Sequence, residues 1–67
     1  MTPAEIFELI VKADEKLKYS TAANADLRRQ QAIDLLVEAR DAAREAGVEQ
    51  LVQQAETRLA DLSAEPT

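Results

Sequence analysis

Three stretches of this chain carry one short pattern: Leu, then Ile, Leu or Val, then two variable residues, then Ala. It reads Leu9-Ile10-Val11-Lys12-Ala13, Leu35-Leu36-Val37-Glu38-Ala39 and Leu51-Val52-Gln53-Gln54-Ala55. The first and third copies continue to Leu17 and Leu59, each four residues past the Ala. In a helix, residues spaced by three and four lie on one face, so each copy builds an apolar stripe with a small residue in its middle. The Ala lets a second helix approach closely, and the Leu side chains fill the space on either side. A chain with this pattern three times folds by helix-on-helix packing. The pattern names no chemical act.

Composition narrows the fold further. At 67 residues the chain is one domain, close to the size below which a core needs staples. Ordering it costs on the order of 100 kcal/mol of conformational entropy, so apolar burial must be efficient. The bulky supply is eight Leu, three Ile and four Val, with Phe7, Tyr19 and Met1, and thirteen Ala supply most of the rest. One Gly and two Pro are too few for a hairpin-rich fold, which consumes turn residues. The fold class read from these facts is all-α.

Local signals place the elements. Thr2-Pro3-Ala4-Glu5 is a capping box with Pro at the first helical position. It opens a helix whose stripe is Ile6, Leu9, Ile10, Ala13 and Leu17, ending near Tyr19. Glu8–Lys12 and Asp14–Lys18 are spaced four apart with the acid first, the favourable order on a helix surface. Ser20 to Asn24 reads as a connection, with Asn24, or nearly as well Thr21, the cap of a second helix running to Ala46. Ala32, Leu35, Leu36, Ala39, Ala42, Ala43 and Ala46 are its inward positions. Gly47 sits where a left-handed residue ends a helix, with Val48 as the apolar follower. A third helix starts at once and uses Leu51, Val52, Ala55, Leu59 and Leu62. Two short connections make sequential helices antiparallel neighbours, an up-down-up three-helix bundle over residues 1–62, with 63–67 a disordered tail.

Several function classes are disfavoured. Without Cys or His the chain lacks a disulfide frame, thiolate metal ligands and the commonest proton shuttle. Ser20 and Ser63 have no His to activate them, and Lys12, Lys16 and Lys18 sit at solvent-facing positions with ordinary ion-pair partners in reach. Neither catalysis nor a cofactor, metal or small-molecule substrate is expected. The longest run of bulky apolar residues, Leu9 to Val11, is far short of the ~20 residues that cross a bilayer. The start of the chain lacks the basic and apolar segments of a signal peptide, which reads as cytoplasmic. Net charge is −5, and residues 30–67 carry all of it, with eight acids against Arg40, Arg44 and Arg58. That sign speaks against nucleic acid and anionic membrane as partners.

The run Ala32-x3-Leu36-x2-Ala39, followed by Ala43-Arg44-Glu45-Ala46-Gly47, resembles the second helix and inter-repeat turn of tetratricopeptide-repeat proteins. The third helix, with Leu51, Ala55 and Leu59, is then similar to the first helix of a following repeat. The resemblance covers residues 32–62, about half the chain. It implies a TPR-like helical unit with a scaffold or adaptor role and no catalysis.

What remains is binding. Phe7, Val11, Ile33 and Val37 lie off the central stripes of the first two helices, which gives more apolar surface than a minimal core needs. Tyr19, Arg28 and Arg29 form a second cluster at the basic pole of the bundle, beside Lys16 and Lys18, and Tyr and Arg are enriched at interface hot spots. The plainer account of this cluster is that Tyr19 and Leu27 cover the bundle's end while Arg28 and Arg29 pair with Asp26 and solvent. The expectation is a non-catalytic protein–protein interaction module, a small adaptor or a homodimer, with these seven residues as contacts. The alternative is a purely structural helical unit or an accessory subunit of a larger assembly.

Overall fold

Each helix boundary has a visible cause. A computed structural model describes residues 1–63, and the expected tail at 64–67 lies outside the described residues. Helix α1 spans Pro3–Lys18. Its capping box is formed: the Thr2 N–H donates to Glu5 Oε1 at 2.9 Å, and the Glu5 N–H donates to Thr2 Oγ1 at 3.2 Å. These two bonds satisfy amides that the first helical turn would leave without partners.

Helix α2 spans Ala25–Ala46, about 33 Å at the usual rise. Asn24 occupies its N-cap position, but the Asn24 side chain does not cap it. Its backbone, at φ −120° and ψ 12°, is not in the extended region that aims a cap side chain at the following amides. Asn24 Oδ1 instead accepts the Thr21 N–H at 2.6 Å, while the Asn24 N–H donates to the Thr21 carbonyl at 3.2 Å. The connection is closed upon itself, and only the Asn24 carbonyl joins the helix, accepting from Arg28 at 2.9 Å.

The end of α2 follows the expectation. Gly47 is left-handed at φ 74°. The Gly47 N–H donates to the Arg44 carbonyl at 3.2 Å and the Val48 N–H to the Ala43 carbonyl at 2.9 Å, the paired bonds of a Schellman closure. The Val48 carbonyl then accepts from both Leu51 and Val52 at 3.1 Å, so one residue closes α2 and opens α3, Glu49–Ser63. Ser63, read from the sequence as the start of the tail, is helical and belongs to α3.

The three helices form an all-α bundle, with no strand among the described residues. Met1 lies beside Ala42 and Ala46, and Lys16 and Tyr19 lie beside Arg28, so α1 and α2 run antiparallel. Arg44 reaches Glu56, and Arg29 reaches the Leu62 carbonyl, so α2 and α3 do too. Helix α2 packs along both neighbours, whereas α1 and α3 meet only over a short stretch. The extents, 37 × 23 × 13 Å, describe a slab with α2 at its centre.

The core holds ten residues: Ile6, Ile10, Ala13, Ala32, Leu36, Ala39, Ala43, Leu51, Val52 and Ala55. The Ala of each repeated pattern, Ala13, Ala39 and Ala55, is completely enclosed. Ile6, Ile10 and Leu36 are its largest fully buried members, and each contributes about 1.5–3 kcal/mol by burial. Leu9, Leu17, Leu35, Ala42, Val48, Leu59 and Leu62 pack on the margin, half-buried. Ala46 departs from its expected inward position and is exposed.

Candidate functional site

The residues proposed as contacts separate into two groups once the helices are packed. Phe7 and Val11 are one helical turn apart on α1, and they remain 47% and 37% exposed. They line a shallow groove of about 400 Å³ with Glu8, Lys12 and Glu15, all from α1. Ile33 and Val37 do not join them. Both are half-buried on α2, on the helical face that also carries Arg29 and Arg44, whose guanidinium groups reach α3. By helical spacing the off-stripe residues of α2 therefore lie on the side that faces α3 and are half-buried there, and those of α1 are exposed.

The second cluster also divides. Tyr19 and Arg28 are brought together in a groove of about 380 Å³ between α1 and α2, lined further by Lys12, Glu15, Lys16 and Leu35. Arg29 turns away, and one of its terminal nitrogens donates to the Leu62 carbonyl at the far end of α3. Tyr19 is 64% exposed and Leu27 61%, so neither covers the bundle's end. The Lys18 Nζ lies 5.6 Å from the centre of the Tyr19 ring, within range of a cation–π contact.

Charge is sorted along the molecule in a way the sequence did not reveal. Arg40, Arg44 and Arg58 each hold a carboxylate: Asp41 at 3.1 Å, Glu56 at 2.6 Å and Asp14 at 2.9 Å. The Arg58 guanidinium takes both oxygens of Asp14, which draws that acid away from Lys18, its neighbour by helical spacing. Lys12, Lys16 and Arg28, by contrast, form no ion pair among the described residues, and neither does Lys18. Glu8, spaced for Lys12, does not pair with it. On the same face of α2 as Arg28 and Leu35, by helical spacing, Gln31 keeps its Oε1 buried with no hydrogen-bond partner among the described residues.

Among titratable groups, Glu5 has its carboxyl held below the ordinary value, chiefly by the hydrogen bond from the Thr2 N–H and next by the Thr2 hydroxyl. This is a property of the helix cap. Among the described residues, no three acids, His or Cys gather as a metal set, and no helix is long and apolar enough to cross a membrane.

Phe7 and Val11 were visible in the sequence by their phase on α1, and Tyr19 by its type. Lys16 was read only as part of the basic pole and Leu35 only as an inward position, and neither they nor Lys12 and Glu15 were among the expected contacts, because each looks ordinary on its own helix. Only the packing of α1 on α2 makes them walls of one groove. The two grooves share Lys12 and Glu15, so a continuous surface runs along α1 from Phe7 to Tyr19. In comparisons with family models, curated proteins and solved structures, nothing matches this chain.

Proposed function

We propose that this chain is a non-catalytic protein-interaction module that docks through the solvent-facing side of α1. One observation carries the reading: both aromatic residues of the chain, Phe7 and Tyr19, lie outside the core. An aromatic ring is the largest apolar contribution a side chain can make to a core. Here the core is built half from Ala, while Phe7, Val11 and Tyr19 are left in water along one helix. Support also comes from their arrangement, since the Phe7–Val11 groove continues into the Tyr19 groove through Lys12 and Glu15.

Replacement of exposed and half-buried members tests the reading. Val11→Glu and Phe7→Ser are expected to keep full helicity by circular dichroism, because neither side chain is enclosed. Val37→Glu is expected to lower the melting temperature, because Val37 is half-buried and a carboxylate there loses part of its hydration. In sedimentation across concentration, the unmodified chain is expected to associate weakly at high concentration, and Val11→Glu to abolish that association. A chain that is monomeric throughout, and that unfolds with Val11→Glu, would show these residues to be core and remove the docking face.

A further inference from the structure

The groove between α1 and α2 holds a set of cations that form no ion pair among the described residues. The chain has thirteen acids for eight bases, so carboxylates are not scarce. Arg40, Arg44 and Arg58 each find one. Lys12 and Lys16, one turn apart on α1, and Arg28, on the facing wall of α2, find none among the described residues. Glu15 is the one acid lining this groove, Glu8 joins it only at the Phe7–Val11 end, and neither lies within ion-pair distance of the three. Lys16 and Arg28 are half-buried, so their charges are less screened than those of freely solvated side chains. Beside them are an apolar wall, Leu35, and an exposed ring, Tyr19.

We infer that this groove binds an acidic, amphipathic segment of another protein. Two carboxylates one helical turn apart on such a segment match Lys12 and Lys16, and a further one meets Arg28, as charge-assisted hydrogen bonds. Apolar residues between them lie against Leu35 and Tyr19 at one end and Val11 and Phe7 at the other, the mode in which a helix is seated in a groove. The inference rests on reading the outer side of α1 as a docking face and specifies what docks there. A nucleic acid fits less well, because its backbone charge extends well past this patch onto a molecule of net charge −5. A second copy can meet the chain weakly through Phe7 and Val11 but fits the groove less well, because a two-fold contact centred there brings one cationic patch of Lys12, Lys16 and Arg28 against another.

An array of short helical peptides tests this, each peptide carrying glutamates every fourth residue among leucines and printed beside a twin with lysine for glutamate. The full chain is expected to bind the glutamate series and not the lysine twins. With the best peptide labelled, fluorescence anisotropy is expected to show affinity falling about fivefold in each of Lys16→Gln and Arg28→Gln and falling further as salt is raised. Gln53→Glu changes net charge by the same amount from an exposed position on α3, and it should leave affinity nearly unchanged. Equal losses in Gln53→Glu and Lys16→Gln would overturn the groove as the site, and so would tighter binding of an oligothymidylate than of any peptide. Self-association of the pure chain that disappears in Lys16→Gln would assign the groove to a second copy and overturn the proposal. If no peptide binds while Val11→Glu still abolishes association, the acidic partner falls and the docking face stands. If no peptide binds and Val11→Glu changes nothing, both fall.

Discussion

Two single residues carry much of the geometry, for opposite reasons. Gly47 needs no space: a Cβ built there meets nothing within 4 Å. Its requirement is the left-handed backbone at φ 74°, which costs a residue with a side chain about 1–2 kcal/mol. Gly47→Ala is therefore expected to destabilise by about 1 kcal/mol, Gly47→Val by more and Gly47→Asn by less, read from urea midpoints. An unchanged midpoint in Gly47→Val would contradict this. Ala39 needs the opposite, since it is fully enclosed where α2 meets its neighbours. Ala39→Leu is expected to cost about 1–3 kcal/mol by overpacking. Ala46→Leu, on the same helix but exposed, should be nearly neutral, and equal losses in the two would refute the close contact at Ala39. Helical spacing alone put Ala39 and Ala46 on one inward face. It identified the middle of that face correctly and missed its end, because periodicity says nothing about where the neighbouring helices stop.

At the scale of the element, α1 has a charged cap with a pH signature. The Glu5 carboxyl titrates below its ordinary 4.5 in the folded chain, so it binds a proton less readily folded than unfolded. Its contribution is complete above about pH 4.5 and is lost as pH falls through the lowered folded value. Glu5→Gln is expected to flatten that part of the profile: between about pH 6 and pH 3 its melting temperature should fall less steeply than that of the unmodified chain. Parallel profiles would mean that the carboxylate adds nothing to the cap. The Thr2–Glu5 box and the Gly47 closure were both legible, because each is a local motif whose partners lie within a few residues. The cap of α2 was legible as a position and not as a bond. Asn24 can cap a helix or close a turn, and the bond to the Thr21 amide decides for the turn. Residue preference ranks such options without knowing the backbone angles that choose between them.

For the whole molecule, the deciding fact is that α2 is the common neighbour of two helices that hardly touch each other. The Arg58–Asp14 pair crosses directly between α1 and α3, with the side chains 34% and 49% exposed, a setting in which ion pairs contribute about 0–1 kcal/mol. A double-mutant cycle of Asp14→Asn and Arg58→Gln is expected to give a coupling below about 1 kcal/mol that shrinks with salt. A larger, salt-insensitive coupling would mean that the bundle depends on this contact. The split of Phe7 and Val11 from Ile33 and Val37 has the same origin. The sequence marks all four as off the central stripes, but which of them meet water depends on how each outer helix is rotated about α2, and no local pattern encodes that rotation. The arrangement also bears on kinetics. Nearly every tertiary contact joins helices that are consecutive in the chain, so folding closes only short loops. Low contact order of this kind belongs to chains that fold in microseconds to milliseconds. Stopped-flow mixing should find refolding complete within its dead time, and α1 should be able to peel from α2 without first disturbing α3.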